Sequence, residues 1–175
     1  MLIGKRCLSG CRIVRVLGID PGLAATGYGV LEVNGRREKV AEAGVIRPSG
    51  AELEARLCEI HHSISEVLSE WRPEVLVIEE VYSKYRHPRT AILMAHARGV
   101  ICMAAGSMAM PVVDYAASEV RRALTGNGRA SGTQVREMVC RRLGIAAGSR
   151  NEHMYDALAL ALCHAGRVRG TFAPQ

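Results

Sequence analysis

"RVLGIDPGLAATGYGVLEV", residues 15–33, carries one acid at the end of its first apolar run and breaks that run with Pro-Gly. Val16, Leu17 and Ile19 lack the polar alternation of a half-wet strand, so the run reads as a strand buried on both faces. Asp20 then sits where the strand leaves the sheet. A carboxylate at such a place is costly to bury alone, so it asks for a partner. "TGYGVLEV" (26–33) reads as a second strand, and Asn34-Gly35 is a hairpin turn signal. "REKVAEAGVIRP" (37–48) reads as a third, so the fold is expected to open with antiparallel hairpins.

Outward from this hairpin the period changes. "ELEARLCEIHHSISEVLSEW" (52–71) sets Leu53, Leu57, Ile60, Ile64, Val67, Leu68 and Trp71 on a helical stripe, closed by Pro73. "EVLVIEEV" (74–81) is a buried strand ending in acids. "PRTAILMAHARGVICMAAGSM" (88–108) opens on Pro, as helices do, and is apolar nearly all round, so more than one of its faces needs cover. "PVVDYA" (111–116) is a short strand, and Ser118 reads as the N-cap of "SEVRRALT". "SGTQVREMVCRRLG" (131–144) and "NEHMYDALALALCHAGR" (151–167) are helices, the last capped by Asn151. The order reads βββ-α-β-α-β-α-α with mixed strand direction, an α/β fold in three layers. The domain is expected over residues 15–167. Residues 1–14 are expected to be a disordered N-terminal extension, and 168–175 a C-terminal tail.

The length of 175 residues suits one domain, and an aromatic content of 4% makes its core aliphatic and Ala-rich. No run approaches the roughly 18 apolar residues of a membrane span. The basic start "MLIGKRCLSGCRIVR" lacks a long apolar centre, so no secretory signal is read and the expected location is cytoplasmic. Of six cysteines only Cys7 and Cys11 are close in sequence. Cys58, Cys102, Cys140 and Cys163 lie in apolar patterns and read as small buried hydrophobes of a reducing compartment.

The net charge of +6 is unevenly spread. Residues 82–99 hold Lys84, Arg86, Arg89 and Arg98 with no acid. Residues 121–142 hold Arg121, Arg122, Arg129, Arg136, Arg141 and Arg142 against Glu137 alone. Two such clusters suit a polyanion, nucleic acid foremost; a solvated surface is the plainer alternative.

Against this basic background stand acids at the ends of elements. Strands one and four are both apolar and acid-tipped. Lying parallel and side by side, they would bring Asp20 to either Glu79 or Glu80, which alternate to opposite faces; spacing alone does not choose between them. His153 and Asp156, three apart, share one face of the last helix. Singly, each acid has an ordinary reading: Asp20 in a turn, Glu79 and Glu80 solvated, Asp156 favourable to the helix dipole. Together they would repel unless a hard divalent cation, Mg²⁺ or Mn²⁺, took their oxygens. Two such ions activate water and stabilise the leaving oxygen in phosphodiester cleavage.

Four blocks, "LGIDPGLAATGYGVLE", "VLVIEEVYSKYRHPRTAILMAHARGVI", "VVDYAASEVRRALTGNGRAS" and "HMYDALALALCHA", resemble in order and spacing the RuvC family of crossover junction endodeoxyribonucleases. The resemblance covers about residues 15–166. It implies an RNase H-like fold with a five-stranded mixed sheet flanked by helices. It also implies a homodimer that nicks four-way Holliday junctions symmetrically, beside the branch-migration proteins RuvA and RuvB. By position it implies Asp20, Glu79 and Asp156 as catalytic, metal-holding acids, and His153, where most members carry Asp, as a fourth catalytic and metal-holding residue. Tyr82 falls on an aromatic that stacks on bases, and Arg121 on a DNA-contacting Lys. With Lys84, Arg86, Arg89 and Arg129 these make the candidate DNA contacts. Residues 88–109 match the dimer helix, and His96 reads as a polar interface residue. A second basic position of the family, often Lys, is Gly132 here, with Arg129 as the candidate substitute.

Two other classes fit less well. An actin- or sugar-kinase-like ATPase needs a second domain and a second Gly-rich phosphate loop, which 175 residues do not supply. A non-catalytic junction-binding module would have lost an acid, and all are present.

Overall fold

Alternation along the first strand sets the layers. A computed structural model describes residues 12–80, 88–146, 148 and 152–168. In it β1 (Val14–Asp20) sends Val14 and Val16 into one core, and Leu17 and Ile19 into another on the opposite face. β2 (Thr26–Asn34) and β3 (Arg37–Ile46) form the expected antiparallel meander with β1. β4 (Val75–Glu79) lies parallel to β1, and β5 (Val112–Tyr115) parallel to β4. The mixed sheet has the order β3-β2-β1-β4-β5.

Helices α1 (Leu53–Trp71) and α2 (Pro88–Ser107) cover the Leu17–Ile19 face. Of the stripe read on α1, Ile60, Ile64 and Leu68 are fully buried. The opposite face carries α3 (Ala117–Thr125), α4 (Gly132–Leu143) and α5 (Glu152–Val168). Three helices, not two, therefore follow β5, because α3 is an element of its own. Its N-cap is Ala116 rather than Ser118. The Glu119 carboxylate accepts the Ala116 N–H at 3.2 Å, which supplies the capping a hydroxyl was expected to give.

Smaller expectations also shift. β1 begins at Val14 and α5 ends at Val168, one residue outside each expected bound. Arg12 is no loose residue: it reaches Glu74 at 2.7 Å. Cys140 and Cys163 are buried as read, but Cys58 is exposed, because it points away from the Ile60–Ile64–Leu68 stripe, and Cys102 is half-buried. Residues Arg89–Ser107 of α2 are long and apolar enough to cross a membrane by length and composition, contrary to the reading of the bare sequence. In the fold, Ala97, Ile101, Ala104 and Ala105 of this helix pack into the core beside α1. Cys7, Cys11 and the Asn151 cap lie outside the described residues.

The decisive packing feature is how closely α5 approaches the sheet. A Cβ on Gly18 would run into the backbone of Ala157 and Ala161, and one on Gly27 into the backbone of His153. Only glycine leaves room for this contact. Gly18→Ala is expected to destabilise the fold by about 2 kcal/mol or more, since backbone cannot repack as a side chain can. Urea unfolding checks this; a loss below about 0.5 kcal/mol, the size of an ordinary surface change, would contradict the contact.

Candidate active site

The β1–β4 register runs from Val16↔Val75 to Ile19↔Ile78, so Asp20 and Glu79 are the next residues of two adjacent parallel strands. Val75 and Val77 face the α5 core, and alternation puts Glu79 on that side with Asp20. Glu80 points the other way. It is exposed, and its N–H is spent on the Tyr115 carbonyl at 2.9 Å. The choice that strand spacing left open is thus made by which face α5 covers.

Local bonds hold the strand ends. The Thr26 hydroxyl, fully buried, donates to the Gly22 carbonyl at 2.7 Å and closes the turn after Asp20. Arg98 Nη1 donates to the Glu79 carbonyl at 3.0 Å, and Nη2 pairs with Asp114. One arginine of the first basic cluster is therefore structural: it ties α2 and β5 to the end of β4.

Above the strand ends lies the first turn of α5. Asp20 is buried, and its Oδ2 stands 2.7 Å from His153 Nδ1. That bond raises the His153 pKa above its ordinary value, with burial opposing. Burial and the charges of Asp20 and Asp156 push Glu79 up to about 7, offset in part by Arg121. Asp156 is pushed to about 6 by burial and by Asp20, with His153 and Arg121 pulling the other way. As a residue Asp156 is exposed, so water at the cleft mouth relieves part of that push. Among the described residues no three of these groups close into a finished metal cage. The donor set nevertheless suits a divalent cation: Asp20, Glu79, His153 and Asp156 lie close enough to perturb one another, and burial first, then the neighbouring carboxylates, holds Glu79 and Asp156 above the ordinary carboxylate range.

The cleft is bordered by Arg121 on α3 and Gly132 on α4. Arg129 is not there. It is exposed in the α3–α4 turn, its N–H bound to Asn127 Oδ1 at 2.9 Å, and it lines a separate groove with Ser118 and Arg122. Arg89 is exposed at the start of α2, and His96 is exposed further along it. Tyr82, Lys84 and Arg86 lie outside the described residues. Sequence reading passed over Arg136, counted only within a basic cluster, although it borders the cleft beside Asp156. Its i, i+4 spacing from Gly132 was the available signal.

The family model for crossover junction endodeoxyribonuclease RuvC matches residues 16–164. The chain belongs to the RuvC family. It is 44% identical over 149 residues to RuvC of Rhodopirellula baltica, covering 85% of this chain and 84% of that one. To RuvC of Burkholderia cenocepacia it is 39% identical, covering 87% and 83%. Thermus thermophilus RuvC superposes with a TM-score of 0.82 at 35% identity, over 91% of this chain and 98% of that one. The same protein solved in complex with a Holliday junction gives 0.83. The RNase H-like fold expected from the resemblance is borne out.

All three shifts act in one direction on stability. A carboxyl with a raised folded-state pKa stabilises the fold below its unfolded value and loses that contribution as pH rises through its folded value. Glu79 loses its share by about pH 7 and Asp156 by about pH 6. His153, also raised, stabilises below its ordinary value and loses this as pH climbs through its own. The metal-free protein is therefore expected to melt lower at pH 8 than at pH 5 relative to Glu79→Gln, by about 2–4 °C for each kcal/mol involved. Mg²⁺ should restore the loss at pH 8 and do little at pH 5. A Glu79→Gln variant that tracks the wild type at both pH values in calorimetry would contradict the assignment of these charges.

Proposed function

We propose that this chain resolves four-way DNA junctions by two symmetrical nicks as a homodimer, with Asp20, Glu79 and Asp156 as the catalytic acids and His153 as their partner. That it is a crossover junction endodeoxyribonuclease follows from its family. The observation that carries the assignment of residues is the parallel β1–β4 register, with Asp20 and Glu79 on one face beneath the first turn of α5. A Mg²⁺ or Mn²⁺ ion held by these acids, two ions per subunit with DNA bound, would supply Lewis acidity toward water and the leaving oxygen.

The residues themselves have distinct tasks. Glu79 and Asp156 would offer carboxylate oxygens to the ion in a partly dry cleft, and Asp20 orients the His153 ring through Nδ1. That leaves Nε2 for an ion, a water or a proton. Arg121 sets a cation beside the acids without an ion pair to either, which suits a DNA phosphate. Arg89 and Arg129, both exposed, are proposed to contact the backbone of the arms, as are Lys84 and Arg86; Tyr82 is proposed to stack on a base.

The dimer reading rests on α2. Ile92 and Met103 are each 58% exposed on the side away from the core. Gly99 and Gly106 leave open space on the same helix. Such an apolar, small-residue face suits a second copy across a two-fold axis, which fixes two active sites at one separation. RuvA and RuvB as partners, and a cytoplasmic location, follow from the same proposal.

Nicking of a synthetic four-way junction tests it. Asp20→Asn should bind the junction, since binding is spread over many basic contacts, and lose cleavage on the order of 10³-fold or more. Glu79→Gln should behave likewise, while Glu80→Gln stays near wild type because it faces the other side of the sheet. Near-wild-type nicking by Asp20→Asn, or a Glu80 effect larger than that of Glu79, would overturn the assignment.

A further inference from the structure

Resting on the nuclease reading above, we propose that Arg136 binds the DNA phosphate that enters the acid cleft. Arg136 lies one turn beyond Gly132 on α4, and the two border the cleft together with Asp156 and Tyr155. Its Nε is buried and has no hydrogen-bond partner among the described residues. A donor taken from water and left unpaired opposes folding, and such groups in native proteins call for an acceptor. Asp156 and Glu152 border the same cleft, yet among the described residues neither forms an ion pair with Arg136. That acceptor is assigned to the incoming DNA strand.

Its chemistry follows from the walls. On one side stand carboxylates; on the other stand two cations, Arg121 and Arg136, in adjoining sections of cleft that share Gly132 and Asp156. A phosphodiester carries one negative charge and two free acceptor oxygens, which a planar guanidinium matches in a bidentate fork. Gly132 leaves the entry open: a Cβ built there meets nothing within 4 Å. A charge delivered from the next turn, by Arg136, fills a position where residue 132 itself supplies none. Arg129, held in the neighbouring groove, does not reach it.

The experiment uses the full chain, a synthetic four-way junction and Mg²⁺. It compares wild type, Arg136→Ala, Arg136→Lys, and Arg136→Ala combined with Gly132→Lys. Arg136→Ala is expected to lower the single-turnover rate at saturating protein on the order of 10²-fold, as loss of one preorganised donor to a reacting group does. The salt dependence of junction binding should fall by about one contact. Arg136→Lys should keep part of the rate. Gly132→Lys on the Arg136→Ala background should restore about tenfold or more, since the open space admits a new ammonium at one charge-assisted contact. Wild-type nicking by Arg136→Ala overturns the proposal. So does a loss of rate matched by a loss of thermal stability and not recovered by Gly132→Lys. A wild-type protein that neither binds nor nicks the junction would overturn the nuclease reading itself.

Discussion

The backbone-to-backbone approach of α5 to β1 and β2 governs the geometry of the cleft. Gly18 and Gly27 leave no side chain between strand and helix, and Ala157 and Ala161 keep the helix face thin. A helix held one side chain further out would carry His153 and Asp156 away from Asp20. The glycines cost conformational entropy in a strand interior. That cost is offset by a buried aliphatic core on the same face, from Val14 and Val16 of β1 through Leu158 and Leu162 of α5.

Given that closeness, electrostatics takes over. The fold collects acids at the sheet edge where two parallel strands end and a helix begins, and buries two of them enough to raise their pKa values. Elsewhere it is careful with charge. Arg15 pairs with Glu32 across the β1–β2 ladder, Arg142 with Glu38 across layers, and Arg98 with Asp114 at the end of β4. Around the sheet the charges pair off; at its tip Asp20 has His153, while Glu79 and Asp156 carry raised pKa values from burial and from neighbouring carboxylates. A cation bound at the tip would recover the stability given up there, and would couple folding, metal and pH through the same residues.

Much of this was readable in the sequence. Strand and helix periods gave the layers, and the acid-tipped strands gave two of the converging carboxylates before any family was named. The choice between Glu79 and Glu80 was not readable locally, because it depends on which face a helix 70 residues later covers. The role of Arg98 was hidden for a similar reason: a basic residue in a basic run looks like a DNA contact until Asp114 and the Glu79 carbonyl come beside it. Arg129 looked like the substitute for the charge missing at Gly132 because it is near in sequence. The turn between α3 and α4 sends it to another groove, while Arg136, further along the chain, returns to the cleft on the next helical turn. Ser118 as a cap failed because Glu119 could cap from within the helix.

If α5 holds Asp20, Glu79 and Asp156 together as one cation site, crystals soaked in Mn²⁺ should show it by anomalous diffraction. The expected manganese peak has carboxylate oxygens of Asp20 and of Glu79 or Asp156 among its ligands, at about the 2.0–2.2 Å typical of small divalent ions bound by oxygen. A peak bound by Glu80, or an empty cleft in crystals that bind Mn²⁺ elsewhere, would contradict it.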